Sequence, residues 1–232
     1  MSRGGYGTIM LRLMALLAVM LWAGGSAMAD EQSERQRRAM LEAAASGDVA
    51  TIHRLVTAGG KVDVRDELGR TPLLLAVEAG QFSSFEALLK EGADINAQAQ
   101  NKDTPWLLAG ALGRTQMLRQ MLPRGPDLTI RNRFGGNALI PACERAHVDT
   151  VRLLLAESRI DVNHINNLGW TCLLEIVVLG DGGPRHVEVT KLVLAAGADP
   201  NIADRKGVTP LAHARSRGQA DIARLIAGAG GR

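Results

Sequence analysis

Aromatic residues are scarce in this chain of 232 residues, at 3%: three Phe, three Trp and one Tyr. So few large rings suit a stack of Ala- and Leu-rich helices better than one large globular core. Cysteine is scarcer still, with only Cys143 and Cys172. No Cys or His spacing matches a zinc site, and neither a metal nor a cofactor is implied. There is no nucleophile elbow, no His-Glu-x-x-His and no dinucleotide fingerprint. A Gly-Gly-Pro turn at 182–184 lacks the lysine of a phosphate-binding loop. A large charge excess is missing as well. The formal charge is +3, and the first 29 residues hold two arginines and no acid. Without them 25 basic residues face 24 acidic ones, a formal +1. The sequence pI of 9.2 is therefore no sign of nucleic-acid affinity.

What is present is a period. Asp66 to Ala97 reads as two short amphipathic helices joined by a turn. Thr71 is a good N-cap, because its hydroxyl accepts from the free amides of the first turn. Pro72 follows at the position where a missing N–H costs nothing. Leu73, Ala76 and Val77 recur at i, i+3, i+4 and make one apolar face. Gly80 ends this helix. Phe82, Phe85, Leu88 and Leu89 form a second stripe, stopped by Gly92. Neither helix buries its face alone, so copies are needed. Thr71-Pro72-Leu73 returns as Thr104-Pro105-Trp106, Asn137-Ala138-Leu139, Thr171-Cys172-Leu173 and Thr209-Pro210-Leu211, at spacings of 33, 33, 34 and 38 residues. A period near 33 marks a stacked array.

These residues resemble the ankyrin repeat: G-x-T-P-L at 69–73 and 207–211, and G-A-D-x-N at 92–96 and 197–201. The resemblance runs from Met40 to the C-terminus. Gly169-Trp170-Thr171-Cys172-Leu173-Leu174-Glu175, with Gly180-Asp181-Gly182-Gly183, is similar to small exported bacterial members. It implies an all-α solenoid of about six stacked helix pairs with short β-hairpin turns. The expected repeats span about 39–65, 66–98, 99–131, 132–165, 166–203 and 204–232. It also implies protein binding rather than catalysis.

Residues 1–29 read as a cleaved secretory signal. Arg3 and Arg12 precede an apolar run from Leu13 to Trp22, and Ala27-Met28-Ala29 is an A-x-A site before Asp30. The run is short for a membrane span. Residues 30–38 are a polar lead expected to fray. The next segment keeps the repeat spacing without Thr-Pro, as an N-terminal cap does. The third repeat departs most from the pattern: Lys102 replaces the turn glycine, and Pro123 must end its second helix. The fifth carries five extra residues, Asp181 to Arg185. They put His186 at the position of His147, where both read as helix-start residues.

Cys143 lies five positions further along its repeat than Cys172 does in the next. Five residues are about 7.5 Å of helical rise. Added to the gap between stacked helices, that exceeds disulfide reach. Two buried thiols are expected, even in an exported chain.

Aligned first helices expose a stripe: Leu75/Glu78/Ala79, Leu108/Ala111/Leu112, Pro141/Glu144/Arg145, Glu175/Val178/Leu179 and His213/Ser216/Arg217. In the family this surface lines the concave groove. Glu175 and His213 hold equivalent positions in neighbouring repeats, which allows an acid–base pair or an inter-repeat salt bridge; the missing nucleophile favours the salt bridge. At the hairpin tips Trp170 reads equally as an interface anchor or as packing over the next turn. Trp106, in a core leucine position, is structural. The expected contact set is Trp170, Glu144, Glu175, Asn167, Arg133, Arg145, Asp181, Arg185 and His213. The sequence thus reads as a periplasmic or secreted, monomeric, non-enzymatic adaptor for another exported or envelope protein. It involves neither nucleic acid nor stable membrane insertion. A second reading is a small hydrolase or ligand-binding protein built on Glu144, Glu175, Asp181 and His213. A third is structural support for an envelope enzyme.

Overall fold

A computed structural model describes Met28 and residues 30–232. The expected signal at 1–29 lies, Met28 apart, outside the described residues. Twelve α-helices follow among them: α1 (30–46), α2 (Val49–Thr57), α3 (Pro72–Ala79), α4 (Phe82–Lys90), α5 (Pro105–Ala111), α6 (Thr115–Met121), α7 (Leu139–Glu144), α8 (Val148–Glu157), α9 (Cys172–Leu179), α10 (Pro184–Ala195), α11 (Pro210–Ser216) and α12 (Ala220–Gly228). They pair into six repeats. Odd-numbered helices from α3 to α11 stack on one another as an inner layer. Even-numbered helices form the outer layer, and the apolar stripes meet between the two. The charged lead at 30–38 is helical and forms the start of α1. Glu34 lies 2.8 Å from the Arg37 guanidinium, one turn apart on that helix.

The inner helices start as the Thr-Pro signature dictates. Thr71, Thr104, Thr171 and Thr209 accept from the N–H of Leu74, Leu107, Leu174 and Ala212 at 3.1–3.3 Å. Asn137 does the same for Leu139 and Ile140 and also donates to the Asp161 carbonyl at 3.0 Å. The outer helices are tied back to the preceding repeat. Arg114 donates to the carbonyls of Val77 and Glu78, and Gln219 to that of Gly180. The last carbonyls of a helix have no partner within it, so these side chains supply one. His186 joins this series: its ring nitrogens lie 2.9 Å from the Glu144 carbonyl and 2.7 Å from Asp181 Oδ1. The five-residue insert is thereby pinned to the end of α7.

Four of the five tips are closed by a residue five places before the helix cap; the third has Ala99 there, and Asn101 accepts from the Asp103 N–H instead. Asp66 Oδ1 accepts from the N–H groups of Leu68 and Arg70. Asn132, Asn166 and Asp204 repeat this at 2.9–3.0 Å. One bond also links neighbouring tips, Gln100 N–H to the Leu68 carbonyl and Asn167 N–H to that of Phe134. These hairpins are too short for ladders, and no strand occurs among the described residues.

A second series of bonds runs along the turns between repeats. Asp63, Asn96 and Asn163 accept from the N–H of Asp94, Asp127 and Asp199 respectively. In the third repeat Thr129 takes this place, and its hydroxyl turns back to Asp127 at 2.6 Å. The series is interrupted there. The same repeat carries Lys102 at φ +65°, where the other tips have Gly69, Gly135, Gly169 and Gly207 at +72° to +85°. A side chain in that left-handed region costs about 1–2 kcal/mol, partly offset by the greater chain entropy a glycine loses. Lys102→Gly is therefore expected to raise stability by about 0.5–1 kcal/mol, read as a higher thermal midpoint. A lower midpoint would show that the lysine side chain contributes at this joint.

The two cysteines correct the sequence reading. Cys143 and Cys172 form a disulfide, with Cα atoms 5.6 Å apart. Stacking in register would have kept them apart, but the inner helices are staggered. The sixth residue after one cap packs against the first residue after the next. Gly110 and Ala138 show the same stagger one repeat earlier: a Cβ on Gly110 would lie 2.8 Å from the Ala138 Cβ. The five-residue offset that argued against a bond is the one this stacking requires.

Candidate functional site

The apex of each tip lies three residues before the helix cap. Those residues are Leu68, Asn101, Phe134, Leu168 and Lys206. Leu68, Phe134 and Leu168 are roughly half exposed, which is unusual for large apolar side chains held by a rigid turn. Phe134 and Leu168 sit on adjacent tips. With Leu179 on α9, also half exposed, they surround a cavity of about 190 Å³ between the fourth and fifth repeats. Ile140 and Pro141 of α7 complete its apolar wall.

Its polar part is acidic. Glu144 comes from the C-terminal end of α7 and Glu175 from the first turn of α9. The helix stagger brings these two together. Glu175 is only 4% exposed and accepts from Asn166 Nδ2 at 2.8 Å. Burial pushes its carboxyl up to about 7; the nearby Glu144 charge adds to this, and Asn166 opposes it. Among the described residues neither carboxylate has an ion-pair partner.

The unfolded chain loses this proton near 4.5 and the folded one near 7. The resulting stability is fully present below about 4.5 and is lost as pH rises through about 7. Glu175→Gln keeps an acceptor for Asn166 and never ionises. It is expected to stabilise the protein at pH 8 by about 1–2 kcal/mol, allowing for solvent at the cavity mouth. The gain should vanish near pH 4.5. Urea midpoints of both proteins at the two pH values test this, and a destabilised Gln variant at pH 8 would contradict it.

The other expected contact residues are dispersed. His213 does not pair with Glu175; its Nε2 lies 2.8 Å from Asp204 Oδ2, within its own repeat. Asn166–Glu175 is the same tip-to-helix pairing one repeat earlier. Asp181 pairs with His186, and Arg185 lies beside His147 around a cavity of about 300 Å³ at the opposite end of the inner helices. Of the four residues read as a second, hydrolase-like grouping, Glu144 and Glu175 come together, whereas Asp181 and His213 are paired elsewhere. His147, the N-cap of α8, has its pKa pushed down by burial, with Arg145, Arg185 and Arg114 adding to the effect. Arg145 donates to the Ala111 carbonyl. Arg133 lies over the Phe134 ring at 4.6 Å and 3.6 Å from Asp103. Asn167 is exposed, and its carbonyl accepts from Arg205. Trp170 is half-buried and packs on the core, while Trp106 is 2% exposed. Sequence reasoning placed Leu179 on the groove stripe but left it out of the contact set, and it missed Phe134 and Leu168. It compared tips at the residue just before the cap, whereas the apex is two positions earlier.

Two segments of the chain, residues 13–99 and 106–204, match the family described as ankyrin repeats in three copies. The chain belongs to the ankyrin repeat family. An ankyrin repeat domain from Acinetobacter baumannii AYE superposes with a TM-score of 0.80 at 46% identity, over 83% of this chain and 98% of that one. The ankyrin repeat domain of Bcl-3, described as a member of the IkappaB protein family, superposes with a TM-score of 0.73 at 28% identity, over 84% and 86%. The ankyrin repeat protein YahD of Escherichia coli strain K12 is 49% identical over 98 residues, 42% of this chain. The match spans about half the length of that curated relative. Ankyrin repeats are a protein–protein interaction module, generally a binding scaffold rather than a catalyst. Among the described residues no helix is long and apolar enough to cross a membrane.

Proposed function

We propose that this ankyrin-repeat protein is an exported, periplasmic adaptor. It binds another exported or envelope protein as a monomer, through the concave side of repeats four to six. One observation carries the reading: Phe134, Leu168 and Leu179 present an apolar patch around two carboxylates, on a scaffold whose family binds proteins. Apolar anchors around a few polar groups are what an interface core requires. Export is supported by the signal-like pattern at 1–29 and by the Cys143–Cys172 bond, which suits an oxidising compartment. Arg133, over the Phe134 ring, and Asn167, whose N–H donates to the Phe134 carbonyl, are candidate rim contacts, with Trp170 and Arg145 further candidates of the same two repeats. Asp181, Arg185 and His213 would be reached only by a partner spanning repeats five and six.

The test is affinity capture from an envelope extract with the full exported chain. Phe134→Ala/Leu168→Ala is expected to lose the captured protein, and Leu68→Ala, at the same apex two repeats away, to keep it. Equal capture by all three proteins would refute the placement. Intact mass of the fractionated protein should show residues 1–29 removed; a chain beginning at Met1 in the membrane pellet would refute export.

A further inference from the structure

The apolar patch has an acidic floor that lacks a counter-charge. Glu175 is 96% removed from solvent, and one of its oxygens is taken by Asn166. Glu144 lies beside it at the same cavity. Two carboxylates sharing a partly desolvated site repel each other, and among the described residues no cation pairs with either. The nearby charged groups are engaged elsewhere. Arg145 on α7 donates to the Ala111 carbonyl. Glu188 on α10 pairs with Arg152 and Lys191, and Arg185 sits beside His147. His213 on α11 is turned to Asp204, and His186 on α10 to Asp181 and the Glu144 carbonyl; Arg133 lies over the Phe134 ring, 3.6 Å from Asp103. Glu144 is thus the charged group acting on Glu175, with Asn166 as its neutral donor.

We propose that the cavity between the fourth and fifth tips takes one basic side chain, lysine or arginine, from the partner protein. Its aliphatic stem lies between Phe134 and Leu168, and its charged head reaches Glu144 and Glu175. Long basic side chains bury their stems along apolar surface while the head finds charge, and this cavity offers both in that order from mouth to floor. The inference rests on the reading that this face binds a protein, and it adds what the face recognises. It also makes binding dependent on pH. An adjacent cation favours the carboxylate form of Glu175, so affinity should rise as pH increases through neutrality.

The experiment is selection of a displayed random nine-residue peptide library on the full exported chain at pH 8, with counter-selection on Glu144→Gln/Glu175→Gln. Selected peptides are expected to share a Lys or Arg beside an apolar residue. The best of them should bind wild type at least about tenfold more tightly than the Gln variant, and lose about tenfold between pH 8 and pH 5.5. Replacing the peptide's basic residue with norleucine should cost a similar factor. Peptides without a basic residue, equal binding to the Gln variant, or no selection at all would overturn the proposal. Thermal melts of the variant separate lost recognition from lost folding. Envelope-protein capture that fails with Phe134→Ala/Leu168→Ala but survives Glu144→Gln/Glu175→Gln would refute the cationic contact and leave the binding face standing. Capture indifferent to both variants would refute both.

Discussion

Replacing both cysteines by alanine is expected to lower unfolding stability by about 3 kcal/mol. The bond joins residues 29 apart in sequence, and a loop of that length loses roughly this much unfolded-state freedom when cross-linked. Against a typical domain stability of about 5–15 kcal/mol this is a large fraction. Alanine is the right replacement, because both sulfurs are fully buried and a serine hydroxyl would lack a partner. The loss should fall at the joint between repeats four and five, since array stability is a sum of repeat and interface contributions. Urea unfolding of wild type and Cys143→Ala/Cys172→Ala, each with and without reductant, separates the cases. Wild type should lose stability with reductant and the variant should be indifferent. Wild type indifferent to reductant would mean two thiols.

Gly110→Ala is expected to cost about 3 kcal/mol, although glycine to alanine within a helix ordinarily gains about 1 kcal/mol. Two effects compete, and distance decides between them. A Cβ on Gly110 would lie 2.5 Å from the Ala138 carbonyl oxygen and 2.8 Å from the Ala138 Cβ. The first is a backbone atom of the next repeat's helix start, so it cannot turn aside as a flexible side chain would. Relief requires the two inner helices to separate, which opens the contact between repeats three and four. That joint already lacks the Asn96-type bond, since Thr129 stands in its place. Thermal midpoints of Gly110→Ala and Lys102→Gly should therefore move in opposite directions. A raised midpoint for Gly110→Ala would show that helix propensity prevails and that the close approach relaxes.

Much of this architecture is legible without coordinates. Thr71, Thr104, Thr171 and Thr209 announce their helices through a hydroxyl and a following proline or small residue, which is local chemistry. The period then sets the stacking. What sequence does not carry is the stagger between stacked helices, because no local residue pattern encodes it. That single unknown led to the expectation of two thiols at Cys143 and Cys172. It also concealed the closeness of Glu144 and Glu175, which lie 31 positions apart. Equivalent positions suggested pairing Glu175 with His213, yet each is bonded inside its own repeat, to Asn166 and Asp204. The tip signal was present in the sequence: aligning the repeats three residues before the cap gives Leu68, Asn101, Phe134, Leu168 and Lys206. Only the structure shows that this position is the apex and that Trp170, nearer the helix, folds against the core.

A partner held by repeats four to six through the Phe134–Leu168 patch must touch the tips of repeats four and five. A photoreactive benzoylphenylalanine placed at position 168, and separately at position 68, in intact cells tests it most directly. Both positions are exposed apexes of equivalent turns, 47% and 54% accessible, so neither insertion should disturb folding. A discrete cross-linked protein is expected from position 168 and none from position 68. Equal adducts at both positions, or an adduct from position 68 alone, would contradict it.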